Sequence, residues 1–208
     1  MKNHSIKVSA PGKIHLLGEH MVVYGKPAII ATVNLRITAN ILPAKTKTRL
    51  EEMQQVIEPI IKKELGIKTI PPYQLTITSQ LPIGAGLGSS AAVSAACIAA
   101  LLSHLKIKWD LNLINKLAYE AEKVFHGNPS GGDNSTVVFG GLIWFRKESP
   151  DLKIIQPVPF TIPHKLAKNF VLINTGKPSE TTKQMVELVS TKFKVKSKKF
   201  KEIFDHQE

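Results

Sequence analysis

Apolar and polar positions along the chain change period several times, and each change marks an element. Ser5 to Ala10 alternates weakly and predicts a strand entering Pro11-Gly12. Ala28 to Ile41 is rich in Ile, Val and Thr and predicts one or two further strands. From Leu50 to Leu65 the spacing becomes helical. Met53, Val56, Ile57, Ile60, Ile61 and Leu65 share one face, and Pro59 is expected to kink or split the helix. Tyr73 to Leu81 alternates again. The run after Ser90 is apolar nearly all round to about His104, which predicts a buried central helix.

Asp110 is a candidate N-cap for a helix over Leu111 to Phe125, with Leu113, Leu117, Ala118, Ala121 and Val124 facing inward. Val137 to Phe145 predicts a strand with a bend at Gly140-Gly141. Four prolines between Pro150 and Lys168 mark a connector. Phe170 to Asn174 reads as a short apolar strand, and Ser179 to Val189 as a helix. This irregular alternation favours an α+β layered fold over a doubly wound parallel sheet. The expected division is a domain over residues 1–165 and a second beginning at 166–208.

Composition narrows the class. Hydrophobic residues make up 43 % and charged residues 21 % of 208 residues, ordinary for a globular protein. Cys97 is the one cysteine and sits in an apolar run, so internal disulfides and thiol-rich metal sites are excluded. No stretch reads as a signal peptide or is long enough to span a bilayer, so a cytoplasmic protein is expected. The net charge is +12, but half of it comes from Lys192, Lys194, Lys196, Lys198, Lys199 and Lys201. A solvated end explains that cluster better than a nucleic-acid contact does.

Three clusters carry candidate chemistry. The first is Pro82-Ile83-Gly84-Ala85-Gly86-Leu87-Gly88-Ser89-Ser90, which opens directly into a helix. Alternate glycines let the backbone approach a ligand, and a helix start offers unpaired N–H groups to an anion. No lysine stands where a P-loop needs one, and the third glycine comes one residue too early for a dinucleotide fingerprint. A plain turn before a serine N-cap fits this loop equally well. The second cluster, Glu122 to Asn134, ends a helix with Glu122 and closes a glycine-rich loop with Asp133. Phosphoryl transfer needs a metal ligand, a group on the attacking hydroxyl and positive charge on the transferring group. A solvated charge is the competing reading for each acid. In the third cluster, Lys13 is the only charge between Val8 and Gly18 and calls for a partner such as Asp133. Glu19-His20 could meet substrate polar groups. As a metal site the pair is weak, and His20 could equally be a buried, hydrogen-bonded histidine.

In their order, APGKIHLLGEHMVVYG, LPIGAGLGSSAA and EKVFHGNPSGGDN resemble the GHMP kinases, over roughly Ser9 to Val189. GEHMVVYG with HGNPSGGDN points to the members that phosphorylate mevalonate. The resemblance implies an amino-terminal domain with a mixed sheet packed on helices, followed by a ferredoxin-like domain. It implies Asp133 as catalytic base and Lys13 as the group that acidifies the hydroxyl and stabilises the phosphoryl group. ATP phosphates would lie on Pro82, Gly84, Ala85, Gly86, Leu87, Gly88, Ser89 and Ser90. Ser90 and Glu122 would hold Mg²⁺, and Glu19 and His20 would shape the mevalonate pocket.

Two departures stand out. The family's third glycine-rich motif is absent up to Glu208, so a truncated second domain and a partial protein are expected. Gly132 stands where bulkier residues are common, and is expected to loosen its loop while leaving the chemistry in place. The alternatives are another GHMP small-molecule kinase, such as one acting on phosphomevalonate, or a non-catalytic nucleotide-binding module. Whether the chain forms a homodimer is left open.

Overall fold

The computed structural model describes residues 5–19, 21–46, 51–82, 84–127, 129–149, 152–160 and 168–176, with isolated positions beyond and between them. His20, most of the helix expected over Ser179–Val189 and the basic tail lie outside the described residues.

Five strands form one sheet. β1 (Ile6–Leu17) pairs with the 16-residue β2 (Ala28–Pro43). The other edge of β2 is shared: its far half pairs with β3 (Tyr73–Ser79) and its near half with β4 (Leu142–Lys147). β5 (Lys153–Pro157) completes the order β1-β2-β4-β5. The α+β class holds, but every described pairing is antiparallel, not mixed. The chain leaves β2 at Pro43 and re-enters the sheet at Tyr73 on the same end, where Ala44 N–H bonds the Pro72 carbonyl at 2.9 Å. Only an antiparallel strand can start there.

Four helices are described. α1 (Glu52–Leu65) starts at a capping box made by Glu51 and Gln54. It runs unbroken through Pro59 because Ile57 and Ile61 seat it in the core. α2 (Ser89–His104) is buried nearly all round, as its composition requires, and carries Cys97, whose thiol burial pushes up to about 12. α3 (Leu111–His126) is capped by Asp110, whose side chain accepts from the N–H groups of Asn112 and Leu113. The main core lies between the sheet and these three helices. No described helix is long and apolar enough to cross a membrane.

Several boundaries differ from the sequence reading. β1 does not stop at Pro11-Gly12 but passes it with a register shift, so Lys13 and His15 lie on a strand. The buried face of α3 is Ile114, Leu117, Ala118, Ala121 and Glu122, and Val124 is 62 % exposed. The helix is therefore rotated to bury a carboxylate in place of a valine. Gly132–Phe139, its last three residues expected as strand, is helix α4. Ser135 and Thr136 hydroxyls donate to the carbonyls of Gly131 and Gly132 one turn back, so both polar groups are satisfied inside the helix where they are buried. The connector holds β5. Phe170 to Asn174 makes no strand among the described residues, and its apolar side chains are exposed, Val171 by 80 %.

Gly132 packs α4 tightly against the sheet, which runs against the expected loosening. A Cβ there would lie 2.7 Å from Ile30 Cδ1, and Ile30 is fully buried. Gly132→Ala should cost about 1–3 kcal/mol. Ile30→Val, which removes that methyl, should recover part of the loss in the double variant. Urea denaturation of the four proteins checks this, and additive losses would refute it.

Candidate active site

β1 delivers Lys13 to the inner end of the sheet. Its side chain is only 6 % exposed, and a buried ammonium needs a counter-charge. Asp133, in the first turn of α4, supplies one: Lys13 Nζ lies 3.1 Å from Asp133 Oδ2. A carboxylate is also favoured at that helix end by the unpaired N–H groups. Two residues along β1, His15 Nδ1 is 3.1 Å from Lys13 Nζ, and His15 Nε2 is 3.8 Å from Asp133 Oδ1.

The glycine-serine loop lies directly over this pair. Lys13 N–H donates to the Leu87 carbonyl at 2.9 Å, stapling the loop to β1. Gly88 has φ +69°, and a Cβ on it would fall 2.6 Å from Lys13 Cγ. Only glycine meets both demands. Gly88, not a serine, is the N-cap of α2, and no side chain caps that end. The plain-turn reading expected a serine cap that would consume these N–H groups. The structure leaves them directed to the loop, where an anion can accept them.

The end of α3 closes the third side. Glu122 is 3 % exposed, and its Oε2 accepts from Ser90 Oγ at 3.3 Å. His126, one turn later, approaches Ser90 Oγ at 3.0 Å and Glu122 Oε2 at 3.5 Å. Glu122 Oε1 is buried without a hydrogen-bond partner. Burial pushes the Glu122 carboxyl up to about 7, and the charge of Asp133 adds to this, while the Ser90 hydrogen bond and Lys13 pull the other way. Ser90 also borders a groove of about 470 Å³ lined by Glu51, Glu52, Met53, Leu75, Ile77, Val93 and Phe125.

Lys13, Asp133, Leu87, Gly88, Ser90 and Glu122 are therefore brought together, with Gly84 to Gly86 leading into the cluster. Pro82 enters that loop and is half-buried. Glu19 lies exposed in the turn after β1, and His20 is outside the described residues. His15 and His126 were not singled out from sequence. Both were legible as spacings: His15 two residues from Lys13 on a strand, His126 four residues from Glu122 on a helix.

Residues 51–141 match the family model described as GHMP kinases N terminal domain, so this stretch of the chain is similar to that domain. Within that class it resembles mevalonate kinases. It is 34 % identical to the mevalonate kinase of Archaeoglobus fulgidus, an alignment covering 88 % of this chain and 62 % of the relative. Against the Pyrococcus furiosus mevalonate kinase the values are 31 %, 89 % and 61 %. The crystal structure of L. major mevalonate kinase in complex with R-mevalonate superposes with a TM-score of 0.73 at 22 % identity, covering 96 % of this chain and 64 % of that one, and supports the fold. The chain thus spans roughly three fifths of the relatives' length.

The Glu122 carboxyl binds its proton more tightly in the folded chain than at its ordinary value of 4.5. Its stabilising contribution is present below about 4.5 and is lost as pH rises through about 7. Glu122→Gln, a neutral mimic, should raise Tm by a few degrees at pH 8, with a ceiling of about 3 kcal/mol. At pH 5 it should give no gain. Thermal melts at the two pH values decide, and an equal shift at both would refute the assignment.

Proposed function

We propose that this chain belongs to a mevalonate kinase, which transfers the γ-phosphoryl group of ATP to the 5-hydroxyl of (R)-mevalonate. The observation that carries the reading is the buried Lys13 ammonium paired with the partly exposed Asp133 carboxylate, set against an uncapped helix start. Binding a phosphate would need the helix end alone. A carboxylate open to an incoming hydroxyl and held by a buried ammonium beside it serves chemistry on that hydroxyl. The mevalonate assignment rests on the likeness to mevalonate kinases. Residues 1–165 would form the ATP-binding domain, with a second domain beginning near residue 166.

In this reading the loop N–H groups from Gly84 to Ser90 hold the phosphates, and the groove beside Ser90 takes the base. Asp133 accepts the proton of the acceptor hydroxyl as its oxygen attacks the γ-phosphorus. The new O–P bond forms, the bond to the β-phosphate oxygen breaks, and ADP leaves. Lys13 stabilises negative charge on the transferring group. Glu19 and His20 would shape the acceptor pocket.

Ser90 Oγ and the unpartnered Glu122 Oε1 are oxygen donors suited to Mg²⁺. Among the described residues no cluster of three His, Cys, Asp or Glu could hold a metal alone, so nucleotide phosphates and water would complete the set. When bound there, Mg²⁺ supplies charge neutralisation on the phosphate oxygens.

A coupled ADP-release assay on the complete protein with mevalonate as acceptor tests the proposal. Asp133→Ala should lower kcat by at least about 10³-fold, and Lys13→Met by about 10²- to 10³-fold. Turnover of phosphomevalonate or a sugar but not of mevalonate would sink the substrate assignment. An Asp133→Ala variant that kept most of its rate would sink the base assignment. RNA binding lost with salt, with no ATP binding, would favour a non-enzymatic role.

A further inference from the structure

His15 is an ionisable side chain of this site that has no role so far. Its side chain is more than nine-tenths buried, and it contacts both members of the central pair: Nδ1 lies 3.1 Å from Lys13 Nζ and Nε2 lies 3.8 Å from Asp133 Oδ1. An ammonium can only donate, so Nδ1 must be the acceptor and carry no proton. The neutral ring then bears its hydrogen on Nε2, aimed at the aspartate. We propose that His15 is a positioning residue that bridges Lys13 to Asp133 as the Nε2–H tautomer. The proposal rests on reading the site as a phosphoryl-transfer centre.

The three groups form a closed triangle. Lys13 gives one N–H to Asp133 Oδ2 and one to His15 Nδ1, which leaves its third for a transferring phosphoryl oxygen. The Nε2–Oδ1 separation is longer than a hydrogen bond, and contacts of this kind tighten when substrate binds. The imidazole matters most once Asp133 has taken the hydroxyl proton. The carboxyl then loses its charge and most of its hold on Lys13. His15 keeps the ammonium in place at the moment when negative charge develops on the phosphoryl group. The ring cannot also relay that proton. Nδ1 is occupied by Lys13, and Nε2 already carries a hydrogen.

Histidine-selective ¹⁵N NMR on the 208-residue chain reads the tautomer directly, with the His15 signal identified by its loss in His15→Leu. The expected result is a single Nε2–H tautomer at neutral pH that becomes a mixture in Lys13→Met. An Nδ1–H ring or an equal mixture in the parent chain overturns the bridge, as does a tautomer unmoved by Lys13→Met. This readout needs no turnover, so it separates failure of the bridge from failure of the kinase assignment. In the complete protein, His15→Leu should lower kcat about tenfold with KM for ATP unchanged within about twofold. His15→Gln, whose amide carries both an acceptor and a donor, should recover to within about threefold of the parent. A leucine variant at full rate, or leucine and glutamine variants equally impaired, overturns the positioning role.

Discussion

Burial of the Lys13 ammonium is the constraint from which the arrangement of this site follows. A lone cation at that depth would be unstable, so an anion has to be carried to it from elsewhere in the chain. The carrier is α4. Its first turn presents Asp133, and Gly132 lets that turn close on β2 without a side chain between them. The amide of Asn134 meets that of Asn115 at 2.6 Å, tying the same helix to α3. Moving α4 by the width of one methyl group would separate the pair.

The same ammonium fixes the loop above it. Its alkyl stem occupies the space where Gly88 would carry a Cβ, and its backbone N–H holds the Leu87 carbonyl. The start of α2 is thereby held open over Lys13, with no side chain competing for its N–H groups. Glu122 completes the electrostatics from α3. It is buried, raised to about 7 and satisfied on one oxygen only, a state that costs stability until a cation or a proton meets it. Such a cost is expected where a fold gives up stability for a binding site.

Much of this was legible in order and spacing. The central helix followed from an unbroken apolar run, the start of α3 from Asp110, and the open loop before α2 from three alternate glycines. Errors arose where tertiary contacts overrode local preference. Val137 and Val138 favour strand, yet they lie in α4, where Val137 is buried in the core and Val138 packs against it. The face of α3 was misjudged because Val124 is the more apolar choice, whereas the site requires Glu122 inside. His15 was missed because β1 was ended at Pro11-Gly12, and only a strand continuing past that point puts Lys13 and His15 on one face.

By itself the sequence determined the α+β class, the helices α2 and α3 and the residue types gathered in the site. These depend on periodicity and on local chain chemistry, which act between near neighbours. Only the tertiary structure decided which charges meet. The Lys13–Asp133 pair joins residues 120 positions apart, and the Ser90–Glu122 pair joins residues 32 apart. No local rule reaches across such separations. They close because burying the apolar faces of α2, α3 and α4 against one antiparallel sheet leaves the polar ends of those elements no other place to converge.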